Sequence, residues 1–126
     1  MGTILAIALG GAFGSLARYG LTIYCEYLLG RDFPYGIFIA NVLGSFAIGI
    51  CFVLLLERAL LPEFWRSLLM VGFLGAFTTF STFSLQTVGL LQDGRLLAAA
   101  TYTFGSVILS IFGAYLGILT ARQAAG

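Results

Sequence analysis

Four long stretches of this chain carry no charged residue, and nothing else in it restricts the possible folds so severely. They run from Met1 to Ala17, Phe33 to Leu56, Ser67 to Gln92 and Leu96 to Ala121, and the last three are 24, 26 and 26 residues long. Crossing a hydrocarbon layer of about 30 Å takes roughly 20 apolar helical residues. The first stretch reaches that length only by drawing in Arg18. A water-soluble fold fails on composition, because only 9% of the residues are charged and 60% are hydrophobic, whereas a wet surface needs about a quarter charged.

Turn chemistry agrees with this parsing. Gly30-Arg31-Asp32-Phe33-Pro34, Leu61-Pro62-Glu63 and Gln92-Asp93-Gly94-Arg95 separate the apolar runs and carry nearly all the acids. The expected architecture is all-α and integral to the membrane: one unit over residues 1–126 with helices near 3–28, 34–57, 63–92 and 95–121. A membrane β-barrel needs alternating segments of about ten residues, and the run from Ile48 to Leu56 does not alternate. No cleavable leader is expected, since no basic residue precedes the first apolar run.

Several chemistries are excluded. There is no histidine, and Cys25 at the exit of helix 1 is far from Cys51, about 24 Å along helix 2 from the adjoining turn. Neither a disulfide nor a thiolate or imidazole metal site has a basis. No carboxylate lies in the middle of an apolar run, which removes most acid-base and nucleophilic catalysis. The chain is not expected to be an enzyme, nor to have a nucleic-acid partner.

Charge placement bears on orientation. One side of the layer holds Arg58, Arg66 and Arg122, and the other Arg31, Arg95 and Arg18, so the positive-inside rule has almost nothing to act on. Chains can then insert either way up and pair as opposed copies; the alternative is that so few arginines carry no orientation signal. Small residues four apart (Gly10 and Gly14, Gly11 and Ser15, Ser45 and Gly49, Gly113 and Gly117) allow close helix approach in lipid.

The segment from Gly72 to Ser84 is the most informative, with five hydroxyl residues in the seven positions from Thr78 to Ser84. Thr and Ser can bond back to helix carbonyls and loosen the ladder, so helix 3 is expected to break or kink there, beside Gly75. Carbonyls freed at membrane depth need protein, water or an ion. Phe80 and Phe83, three apart, are either ordinary packing or ring edges whose positive rim faces a small anion. Tyr102, Ser106 and Ser110 recur at four-residue steps on one face of helix 4, about 12 Å long. They form either a track of neutral donors or hydroxyls bonded to their own helix. Asn41 in helix 2 is costly in lipid and is expected to face protein or water.

With these residues in view, the chain closely resembles the Fluc/CrcB fluoride channels over essentially its whole length. The resemblance is carried by Gly10 to Tyr19 in helix 1, by Gly36, Asn41 and Gly44 in helix 2, and above all by Thr78-Thr79-Phe80-Ser81-Thr82-Phe83-Ser84 in helix 3. It implies an antiparallel homodimer with two fluoride pores, exporting fluoride from bacterial cytoplasm through the inner membrane. It also implies a central structural sodium ion held by the backbone carbonyls of Gly75 and Thr78 from each subunit. Phe80 and Phe83 correspond to the pore phenylalanines, with Asn41 beside them. Tyr102, Ser106 and Ser110 correspond to the polar track, Ser81 and Thr82 to hydroxyls near the path, and Arg18 to an anion-attracting vestibule.

Ile37 and Ala40 stand where a threonine and a valine are common in that family. Gln86 replaces a frequent glutamate, and Ala114 ends the hydroxyl track one turn past Ser110. The rival reading is a small dual-topology multidrug-type transporter. It calls for a membrane-embedded carboxylate, and Glu26, Glu57 and Glu63 all fall at expected helix ends. A structural subunit of a larger complex leaves the polar cluster of helix 3 without a role.

Overall fold

The computed structural model describes residues 1–126. It is entirely helical, with four spans each long and apolar enough to cross a membrane: α1 (Gly2–Leu29), α2 (Tyr35–Glu57), α3 (Glu63–Gln92) and α4 (Leu96–Ala124). The connections are short, as the turn signals require. Gly30 closes α1 in the left-handed region (φ 85°) while its N–H donates to the Glu26 carbonyl at 3.0 Å, an arrangement only glycine adopts without strain.

Two spans are not plain α-helices. The end of α2, Phe52–Glu57, and the first part of α3, Ser67–Leu74, widen into π-helical turns, which sequence periodicity did not indicate. Farther along α3 a short helical piece, Gly75–Phe77, is followed by Thr78 (φ −90°, ψ 157°) and Thr79 (φ −155°, ψ 126°) in extended conformation. Helix then resumes at Phe80–Gln92. The extended pair lies near the middle of the span, about 22 Å from its start.

Apolar side chains cover most of the outer surface, so helix contact depends on backbone approach rather than on a large buried core. The small-residue pairs make that approach. A Cβ at Gly10 or Gly14 would collide with the α3 backbone at Leu68 and Phe73, and one at Gly49 or Gly117 would collide with the facing backbone of the α2–α4 pair. At Gly14 the intruding methyl would sit 2.9 Å from the Phe73 carbonyl carbon and 3.0 Å from its Cα, against main chain that cannot swing aside as a side-chain end can. Gly14→Ala is therefore expected to destabilise the chain by about 1–3 kcal/mol, read as a lower melting temperature in detergent. An unchanged melting point would mean that α1 and α3 separate freely.

The ends of α2 and α4 are joined by a two-pronged ion pair, Arg122 Nε to Glu57 Oε1 at 2.9 Å and Nη2 to Oε2 at 3.0 Å. At the opposite end Arg95 donates to the Asp32 carbonyl, tying the α3–α4 turn to the α1–α2 turn.

Candidate functional site

The extended pair borders a cleft of about 360 Å³ walled by α2, α3 and α4. Its position follows from how the two threonines are held. Helix is lost after Phe77, and the N–H of Thr79, which a continuous helix would direct at Gly75, instead donates to Asn41 Oδ1 at 2.8 Å. Asn41 returns a bond from Nδ2 to the Thr79 carbonyl at 3.1 Å. One amide from α2 thus satisfies both backbone groups of an extended residue at membrane depth, where neither could be left bare.

Thr79 also starts the second half of α3. Its Oγ1 accepts the N–H of Thr82 at 3.2 Å, an N-cap bond that satisfies one of the free donors of the first turn. Sequence reasoning gave Thr79 no role, although a Thr three residues ahead of Thr82 at a helix restart is a capping signal. Because the Thr79 and Thr82 N–H groups are taken in this way, the carbonyls of Gly75 and Thr78 lose their ordinary i+4 donors. The Ala76 carbonyl, between them, accepts from Arg18 Nε at 3.0 Å.

Hydroxyl groups of α3 and α4 differ in how they are satisfied. Thr78 Oγ1 donates to the Leu74 carbonyl at 2.9 Å, Ser84 Oγ to Phe80 at 2.9 Å and Thr87 Oγ1 to Phe83 at 2.8 Å. These are spent on their own helix, as hydroxyls in apolar spans commonly are. Ser106 and Ser110 of α4 behave otherwise: both hydroxyls are buried, both lack a partner, and both line the cleft.

Asn41, Gly75, Thr78, Phe80 and Phe83 line the same cleft. The Phe80 and Phe83 rings lie 5.5 Å apart with a 52° tilt. Phe83 is buried against Ile37 and Tyr102, whereas Phe80 is 77% exposed on the single chain and stands at the open side. Tyr102 shares the face of Ser106 and Ser110 but not the cleft. Its ring packs 5.1 Å from that of Phe83, and its hydroxyl donates to Gln86 Oε1 at 2.6 Å.

Arg18 and Thr82 border a second hollow of about 280 Å³ together with Gln86. Ser81 is exposed on the first turn of the second half, 3.5 Å from the Thr79 hydroxyl. Of the expected site residues, seven therefore line the first hollow, Arg18 and Thr82 line the second, and Ser81 and Tyr102 lie outside both; no carboxylate belongs to the walls of either.

A chain of four membrane-length helices, with a neutral cleft of hydroxyls and aromatic rings at mid-depth, is a multi-pass membrane protein. Residues 5–118 match the family model described as CrcB-like protein, Camphor Resistance (CrcB), and the chain belongs to that family. It is 47% identical over 116 residues to the fluoride-specific ion channel FluC of Magnetococcus marinus, covering 92% of this chain and 94% of that one. FluC of Geobacter metallireducens is 48% identical over 121 residues, covering 96% and 98%. FluC of Coxiella burnetii is 46% identical over 121 residues, covering 95% and 98%.

Proposed function

We propose that this chain is one half of a fluoride-specific ion channel, in which two copies inserted in opposite orientations enclose two pores that let fluoride leave a bacterial cytoplasm passively. The chain is then a conduit and not an enzyme, in keeping with relatives named as ion channels. The observation that carries the reading is the pair of buried, unpartnered hydroxyls at Ser106 and Ser110, facing a cleft that also holds the Phe80 and Phe83 rings. Buried donors without partners cost about 1–3 kcal/mol each. A passing anion supplies what they lack.

A small anion entering a low-dielectric layer must exchange its water shell for donors along the route. Ser106 and Ser110 offer hydroxyl hydrogens, Asn41 offers an amide hydrogen beyond the one bonded to Thr79, and Phe80 and Phe83 offer the positive rims of their rings. Ser81 and Thr82 extend the polar surface toward the second hollow, and Tyr102 backs the Phe83 ring from outside the cleft. No side-chain cation lines the cleft, so the ion is never held tightly enough to stay.

Opposed pairing is supported by the near balance of arginines between the two ends and by the exposure of Phe80, which a second copy covers. The extended pair then acts as a break in the third span. The carbonyls of Gly75 and Thr78, freed of their i+4 donors, are hard neutral oxygens suited to a sodium ion at the seam between copies. When bound, sodium supplies positive field and a partner for backbone oxygens.

Liposomes loaded with potassium fluoride and containing only the purified protein test the proposal. Fluoride is expected to leave once a potassium ionophore balances the charge, while chloride-loaded vesicles retain their contents. Proton-driven uptake of an organic cation without fluoride release would instead establish the multidrug-type reading.

A further inference from the structure

Five of the six arginines lie at or just beyond the ends of spans; Arg18 lies inside α1, about 24 Å from its start and about 16 Å from its end. No carboxylate pairs with it, although Arg31, Arg66 and Arg122 each have one. A guanidinium at this depth needs another reason to be there.

We infer that Arg18 is a positioning residue, whose guanidinium holds the two halves of α3 in register across the extended pair, and not a charge whose task is to attract anions. Its Nε donates to the carbonyl of Ala76 at 3.0 Å. A continuous helix would give that carbonyl the N–H of Phe80, which now lies beyond the extended residues. Its Nη1 reaches Thr82 Oγ1 at 3.5 Å, on the first turn after the pair. One planar group therefore touches the last helical piece before the interruption and the first turn after it. Asn41 fastens Thr79 from α2. The extended residues are thus held from two neighbouring helices, and Arg18 occupies a carbonyl that would otherwise stand unpaired between those of Gly75 and Thr78.

Geometry separates this role from electrostatic attraction. Bridging Ala76 and Thr82 together requires donors in a fixed fork, which Arg has and Lys lacks; attraction requires only charge, which both carry. The flux readout rests on the proposed channel function, whereas backbone exchange does not, so the two can fail separately.

The test is Arg18→Lys in the purified, reconstituted dimer. Amide exchange over residues 78–82 is expected to quicken by about tenfold, with fluoride flux down by roughly 30-fold and the half-saturating fluoride concentration unchanged. Lysine that preserves both flux and exchange protection would overturn the assignment. Should that variant not fold, the wild-type arginine Nε–H resonance decides. Protection from solvent exchange and no movement on addition of potassium fluoride at constant sodium are expected; a freely exchanging signal, or one that shifts with fluoride, refutes the positioning role.

Discussion

Phe80→Ile is expected to lower fluoride flux by about 100-fold or more, with the melting temperature little changed. Isoleucine keeps the site apolar and dry but removes the ring hydrogens whose partial positive charge faces the anion. If those contacts together supply about 3 kcal/mol at the point where the ion has least water, their loss corresponds to roughly 100-fold in rate. Phe80 is the cleaner of the two rings to change. It lies outside the chain's own buried cluster and pairs mainly with Phe83, whereas Phe83 belongs to that cluster with Ile37, Leu90, Ala99 and Tyr102. Phe83→Ile is therefore expected to lose flux and stability together. Fluoride release at the wild-type rate from Phe80→Ile vesicles would return that ring to ordinary packing.

A combined Ser106→Ala and Ser110→Ala variant is expected to be at least as stable as the parent and yet to pass fluoride about 10- to 100-fold more slowly per hydroxyl removed. The opposite signs follow from one fact. Neither hydroxyl has a partner within the chain, so deleting it relieves a buried polar group and breaks no bond. In the occupied pore each is a donor to a charged acceptor, worth about 1.5–3 kcal/mol. Thr78→Val or Ser84→Ala, which remove hydroxyls already bonded to Leu74 and Phe80, should affect flux far less. Thermal unfolding of the detergent-solubilised protein and release from vesicles measure the two effects. Loss of stability in the double variant would show that the hydroxyls serve the fold.

Much of this was legible from residue order because the governing rules act along one chain. Charge-free runs must be helices of membrane length, Pro34, Pro62 and Gly94 punctuate them, and small residues four apart mark surfaces of close approach. The helix-3 motif, with the family it resembles, was likewise readable and named the substrate that relatives carry. Less was readable wherever a group chooses between partners. All the hydroxyls from Thr78 to Ser110 were equally able to bond back to their own helix; Thr78, Ser84 and Thr87 do so, and Ser106 and Ser110 do not. Tyr102 lies on the same face as those serines, but its longer side chain reaches Gln86 instead of the cleft. The resemblance made Arg18 a vestibule charge, and its bond to the Ala76 carbonyl joins residues 58 positions apart.

The sequence by itself determined that this chain has four helices long and apolar enough to cross a membrane, and that its polar chemistry is concentrated in the second half of α3 and along α4. Those outcomes depend on composition and on the 3.6-residue period, both local quantities. Only the tertiary structure decided which backbone groups at Thr78 and Thr79 are released from the helix and which side chains receive them. Asn41 meets Thr79 because α2 lies against α3, and Arg18 meets Ala76 because Gly10 and Gly14 bring α1 within touching distance of the same span. In lipid an unpaired backbone group costs several kcal/mol, so the site takes the shape in which these distant partners can be found.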